Sequence, residues 1–227
     1  MEKLKPVATE RRRQMRNDIY RYIFYSKEPV SKQQIANALN VSRPTVLQNL
    51  LELEEAGLVE MAEIRESQGG RPPAAYVAKG DIKMALGVSL SANQLKFLLS
   101  DLKQNVLAYK EIDLEYQTDS DVFAITEEQL EVFLTENHVD RKRLLGVGIT
   151  IPGVFDENTK NLILSPTIKL KDFRIEEIRK KIPYPLYFEN DGISGGVAEW
   201  LSRDAEEKKK DFVYLFLEEG VGGAIFL

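Results

Sequence analysis

SKQQIANALNVSRPTVLQNLLELEEAGLVEMAEIRESQGGRPP, residues 31–73, reads as a helix-turn-helix followed by a wing. Ser31 opens an S-x-x-Q capping box with Gln34, which predicts a short helix running to Leu39. Asn40-Val41 is the expected turn, and Ser42 caps a second helix that accepts Pro44 in its first turn. Val46, Leu50 and Leu53 fall on one face at helical spacing, and Gly57 ends the helix. Ser42, Arg43, Thr45, Gln48 and Asn49 are the expected readers of base edges, because short polar and guanidinium groups hydrogen-bond there.

The flanks agree with this reading. Glu10–Ser26 is an expected amphipathic helix, with Met15, Ile19 and Ile23 inward and Arg11, Arg12, Arg13 and Arg16 near its start. Leu58–Ile64 and Ala74–Ala78 read as two strands around Gly69-Gly70. Helix, helix-turn-helix and hairpin together make a winged helix, so the expected partner is double-stranded DNA. In Gly69-Gly70-Arg71-Pro72-Pro73, prolines stiffen the chain and glycines permit close approach. Gly70 and Arg71 are therefore expected in the minor groove of an A·T-rich site, where negative potential is concentrated. The alternative is an ordinary hairpin tip with a solvated arginine.

Charge is distributed unevenly. Residues 1–80 hold 13 Lys and Arg against 10 Asp and Glu, while 81–227 hold 18 against 26, within a net charge of −5. A basic head on an acidic body suits a regulator whose body does not adhere to phosphates. With no long apolar run and no leader-like start, the expectation is a cytoplasmic chain that contacts no membrane. The absence of cysteine excludes a disulfide framework and thiolate metal sites within these residues. His138 reads as a solvated residue at a helix end, and Lys208-Lys209-Lys210 as a solvated loop.

Beyond an expected linker at 79–84 the period changes. Ala85–Leu90, Gln94–Leu99 and Val106–Leu114 predict an antiparallel meander. Thr126–Glu136 is an expected helix with Leu130, Val132, Phe133 and Leu134 inward, and Leu144–Ile151 a buried strand ending at Pro152-Gly153. A helix is expected over Phe173–Lys181, a strand over Pro185–Glu189, and a helix over Asp191–Ser202 preceded by Asn190. Phe212–Leu217 and Ala224–Leu227 complete the set as strands around a glycine-rich turn. This order predicts an α/β sheet, antiparallel at its start and parallel later.

The order of LGVSLSANQLKFLLSDLKQNVL, GVGITIPGVFD, LSPTIKL, FENDGISGGVAEW and EEGVGGAIFL behind a head ending in GGRP resembles the ROK family of repressors and sugar kinases. The resemblance implies a multi-domain α/β chain. Residues 1–80 would be a winged helix-turn-helix and 81–227 the first lobe of an actin-like, ribonuclease-H-like domain. The winged head points to the family's repressors, since its kinases lack one. The resemblance further implies a second lobe with a CxCGxxGCxE zinc motif, which these residues do not include, leaving the AIFL strand without its cover.

By the same resemblance, Asp191 matches the kinase general base, Asn190 a sugar-binding amide, and Gly153 belongs to the IPGVFD sugar site. Asn190 and Asp191 would serve equally well as helix caps. Thr167 stands where the family commonly has Asn. Ser89, in the Gly87–Asn93 run, replaces the aspartate of the phosphate hairpin, so no kinase activity and no cofactor are expected. Gly220, Gly222 and Gly223 resemble a second phosphate loop, itself a weak signal. The expected function is a homodimeric repressor of carbohydrate genes on a palindromic, A·T-rich operator, modulated by a sugar. A sugar kinase with an added head, or a remnant that binds DNA without sensing, are the alternatives.

Overall fold

The computed structural model describes residues 7–62, 74–114, 122–159, 161–204, 206–217 and 220–227. It divides into two compact units, Met1–Ile82 and Lys83–Leu227, each with its own hydrophobic core.

The first unit runs α1 (Val7–Tyr25), β1 (Val30–Ser31), α2 (Lys32–Ala38), α3 (Arg43–Glu55), β2 (Val59–Met61) and β3 (Ala75–Ala78). Local chemistry sets each helix end. The Gln34 N–H donates to Ser31 Oγ at 3.3 Å while the Ser31 N–H donates to Gln34 Oε1 at 2.8 Å, closing the capping box. Asn40 turns the chain at φ 51°, a left-handed conformation that asparagine tolerates. The Thr45 N–H donates to Ser42 Oγ at 3.3 Å and starts α3.

Gly57, at φ 69°, ends that helix. The Leu58 N–H reaches Leu53 O at 2.8 Å and the Gly57 N–H reaches Glu54 O at 2.9 Å, the paired bonds of a Schellman cap. Ile19, Ile23, Ile35, Val46, Leu50, Leu53, Val59 and Tyr76 close into one core. The strands pair antiparallel in the order β1-β3-β2. The two-residue strand β1 has no periodicity of its own; its partner Tyr76 and Ala75 on β3 define it.

The second unit carries a five-stranded sheet in the order β11-β7-β4-β5-β6. Its elements are β4 (Met84–Leu90), β5 (Gln94–Asp101), β6 (Val106–Asp113), α4 (Val122–Glu136), β7 (Leu144–Ile151), β8 (Val154–Phe155), β9 (Leu162–Ser165), β10 (Leu170–Phe173), α5 (Ile175–Arg179), β11 (Leu186–Asn190), α6 (Asp191–Ser202), β12 (Phe212–Leu217) and β13 (Val221–Phe226). β4, β5 and β6 form the antiparallel meander, and β4, β7 and β11 run parallel. Phe133 of α4 stacks on Phe97 of β5 with ring centroids 5.3 Å apart. Among the described residues no helix is long and apolar enough to cross a membrane.

Three expectations need correction. Val132 lies 36% exposed on α4, because the inward stripe passes through Leu130, Phe133 and Leu134 and leaves position 132 outside it. The helix expected over 173–181 is shorter, and Phe173 belongs to β10, which pairs with β9 in a separate β10-β9-β8 sheet. Phe173 also stacks on Phe123 at 4.5 Å, so tertiary contact overrides the local helical pattern. Lastly, Gly222 and Gly223 lie inside β13 and not in a loop. They pair with Phe216 and Leu215 of β12, and a Cβ on Gly192 of α6 would sit 2.7 Å from the Gly223 N, so glycine at 192 permits the helix to approach this strand.

Candidate functional site

In the first unit, α3 presents two distinct faces. Val46, Asn49, Leu50 and Leu53 are buried, at the three- and four-residue spacing of an inward stripe. Asn49 is only 4% exposed, and its Nδ2 donates to the Thr45 carbonyl at 2.8 Å. It is therefore withdrawn from the surface where base edges were expected, a placement already implied by its distance from Val46 and Leu53. Ser42, Arg43 and Gln48 are exposed and Thr45 is half-buried, its Oγ1 2.8 Å from Ser42 Oγ.

Leu47 and Leu51, which sequence reasoning does not name, are also exposed on this helix. Arg43 occupies the first position of α3, whose first turn holds no acidic residue. A cation there opposes the helix dipole, so the helix end and the guanidinium together favour an anion.

The N-terminal arginines have divided duties. Arg12 and Arg16 on α1 both pair with Glu52 on α3, Arg16 at 3.0 Å. The Arg12 hydrogen bond, reinforced by Arg16, holds the Glu52 carboxyl below its ordinary range against a smaller opposing effect of burial. Arg11 and Arg13 stay exposed. Gly70 and Arg71 lie outside the described residues.

In the second unit, Gly153, Asn190 and Asp191 meet at one cavity of about 1040 Å³. It opens where β7 and β11 end side by side, Ile151 beside Asn190, at the carboxyl edge of parallel strands where α/β sheets receive ligands. The Asn190 amide is committed on both sides: Nδ2 donates to Gly153 O at 2.9 Å, and Oδ1 accepts the Ile193 N–H at 3.1 Å as the cap of α6. Asp191 Oδ1 accepts its neighbour's Gly192 N–H at 2.8 Å.

Thr167 also lines the cavity, as do Ser91, Ala92 and Asn93 of the β4–β5 turn and Gly220 and Gly222 of the β12–β13 hairpin. A Cβ on Gly153 would lie 2.6 Å from Leu164 O, so the floor of the site tolerates only glycine. His138 is exposed in a tight turn, and no metal-holding cluster occurs among the described residues.

Residues 85–227 match the model of the ROK family. The chain belongs to the ROK family. Residues 17–66 match a second model, the N-terminal DNA-binding domain of iron dependent repressors. The ROK chain is 23% identical over 201 residues to the xylose repressor of Caldicellulosiruptor bescii, covering 87% of this chain and 50% of that protein. It is 22% identical over 202 residues to the DNA-binding transcriptional repressor Mlc of Escherichia coli, covering 87% and 49%. The chain thus spans about half the length of the curated relatives it matches.

Among solved structures, a ROK family transcriptional regulator homologous to Escherichia coli Mlc superposes with a TM-score of 0.71 at 22% identity. That match covers 95% of this chain and 55% of the other. A sugar kinase-like protein from Cytophaga hutchinsonii superposes at 0.52 with 21% identity, over 63% of this chain and 48% of that one. The fold is therefore a helix-turn-helix head followed by part of a ROK actin-like α/β domain.

Proposed function

We propose that this ROK chain is a sequence-specific DNA-binding transcriptional regulator, a repressor of carbohydrate genes that acts in the cytoplasm and is modulated by a sugar. The observation that carries the reading is the outward face of α3, where Ser42, Arg43 and Gln48 stand exposed at a helix start firmly capped onto a complete core. Helix-turn-helix proteins place the N-terminal residues of this helix in the major groove. Arg71 enters the adjacent minor groove in this reading, and a homodimer grips a palindromic, A·T-rich operator. Arg43→Ala is expected to weaken operator binding by about 1–3 kcal/mol and to relax the requirement for one guanine. Fluorescence anisotropy on wild-type and variant duplexes measures both effects; unchanged affinity with unchanged base preference contradicts the assignment.

The sugar is proposed at the cavity beside Gly153, Asn190 and Asp191. Because both polar ends of Asn190 are engaged internally, Asp191, whose Oδ1 accepts the Gly192 N–H, is proposed to accept sugar hydroxyls through its other carboxylate oxygen. Ser89, in place of a phosphate-hairpin aspartate, favours sensing over phosphoryl transfer. Saturation-transfer NMR with a panel of aldoses tests the site: a signal abolished by Asp191→Asn supports it, and an equal signal in both proteins refutes it. Turnover of any sugar with Mg·ATP would instead make the chain a kinase.

A further inference from the structure

We infer that Leu47 seats the 5-methyl group of a thymine in the major groove, about two base pairs from a guanine held by Arg43. The inference rests on the DNA-binding reading and adds the base that the middle of α3 selects. Arg43, Leu47 and Leu51 stand at i, i+4 and i+8, one row along the exposed face, with Gln48 beside Leu47. Leu47 is 41% exposed and Leu51 56%, although the inward stripe of Val46, Asn49, Leu50 and Leu53 is complete without them.

A lone exposed leucine needs no explanation, but two in line with the only guanidinium of α3 form an apolar strip with a cationic head. That sequence of chemistries has a matching partner on a duplex. The phosphates and the guanine edge attract the guanidinium, and the thymine methyl is the one apolar group that the four ordinary bases present in the major groove.

The spacing is consistent. Four residues of helix advance about 6 Å, against a rise of about 3.4 Å per base pair, so Leu47 lies about two steps beyond Arg43. Leu51, one turn further, extends the strip toward the groove edge. Asn49, buried and bonded to Thr45 O, leaves adenine recognition to Gln48, and the methyl contact of Leu47 is a second means of fixing an A·T pair here.

The test uses the full chain and duplexes enriched by it from a random library. Each thymine of the enriched site is replaced singly by uracil, which keeps every hydrogen bond and removes only the methyl. One thymine per half-site, two base pairs from a required guanine, is expected to lose about fourfold in affinity on this replacement. In Leu47→Ala the thymine and uracil duplexes should bind equally, while Leu47→Met should keep part of the discrimination; position 47 is exposed, so folding is retained in both variants. Discrimination that persists unchanged in Leu47→Ala overturns the inference, as does a tightly bound site at which no uracil has any effect. A change of oligomeric state in Leu47→Ala, without loss of methyl discrimination, assigns the strip to a second copy and overturns it too. Failure to enrich any duplex removes the DNA-binding reading itself, and this inference with it.

Discussion

Leu50→Ala is expected to destabilise the head by about 2–5 kcal/mol, a large share of what a small domain possesses. Leu50 is fully buried on α3 and belongs to the single cluster that joins α1, α2, α3 and β3. Cutting its isobutyl group back to a methyl leaves a cavity beneath the helix that carries the proposed DNA-facing row, so binding should fall together with stability. Urea unfolding followed by far-UV circular dichroism reads the helices of both units. Trp200, the sole tryptophan, sits on α6 and reads the second unit by fluorescence. The dichroism curve should gain an early transition, that of the head, while the Trp200 midpoint holds, because each unit has its own core. A midpoint shift common to both probes, or none, contradicts this division.

Phe133→Ala is expected to cost the second unit about 3–5 kcal/mol. The side chain is fully buried, and its ring is stacked on Phe97, an arrangement that adds to the burial term. α4 lies over the sheet through this contact, so its loss loosens the meander that brings Ser91 to the cavity. Here the Trp200 midpoint should drop, and the part of the dichroism change that belongs to the head should not move. A Trp200 midpoint within experimental error of wild type would show that α4 is dispensable for the sheet.

These cores were legible from sequence wherever one local rule acted alone. The capping box of Ser31 and Gln34, the Ser42 cap, the Gly57 stop and the strand periods of β4, β5 and β7 each follow from neighbours in the chain. What escaped depends on distant partners. The strand β10 takes Phe173, the first residue of an expected helix, because Leu162 pairs with it. Gly222 and Gly223 look like a loop until Phe216 and Leu215 of β12 are found paired with them. β1 exists only as the partner of β3.

The functional residues divide in the same way. Asn49 has the right chemistry for a base edge, but the spacing from Val46 to Leu53 turns it inward, a conflict visible in the sequence and resolved in favour of burial. Leu47 and Leu51 have chemistry that reads as core, and only the completed packing shows them outside. Gly153, Asn190 and Asp191 were placed by resemblance, and β7 and β11 bring them to one cavity. That Asn190 spends both ends of its amide on Gly153 and Ile193 is a matter of hydrogen bonding that no motif expresses.

The central claim is that the head reads DNA sequence through α3. Its most direct measurement is the affinity of the full chain for a library-enriched duplex and for a scrambled duplex of equal length, across a series of salt concentrations. The reading predicts preference for the enriched duplex by about 10³-fold or more, with affinity falling as salt rises. Equal affinity for both duplexes at every salt concentration would contradict it.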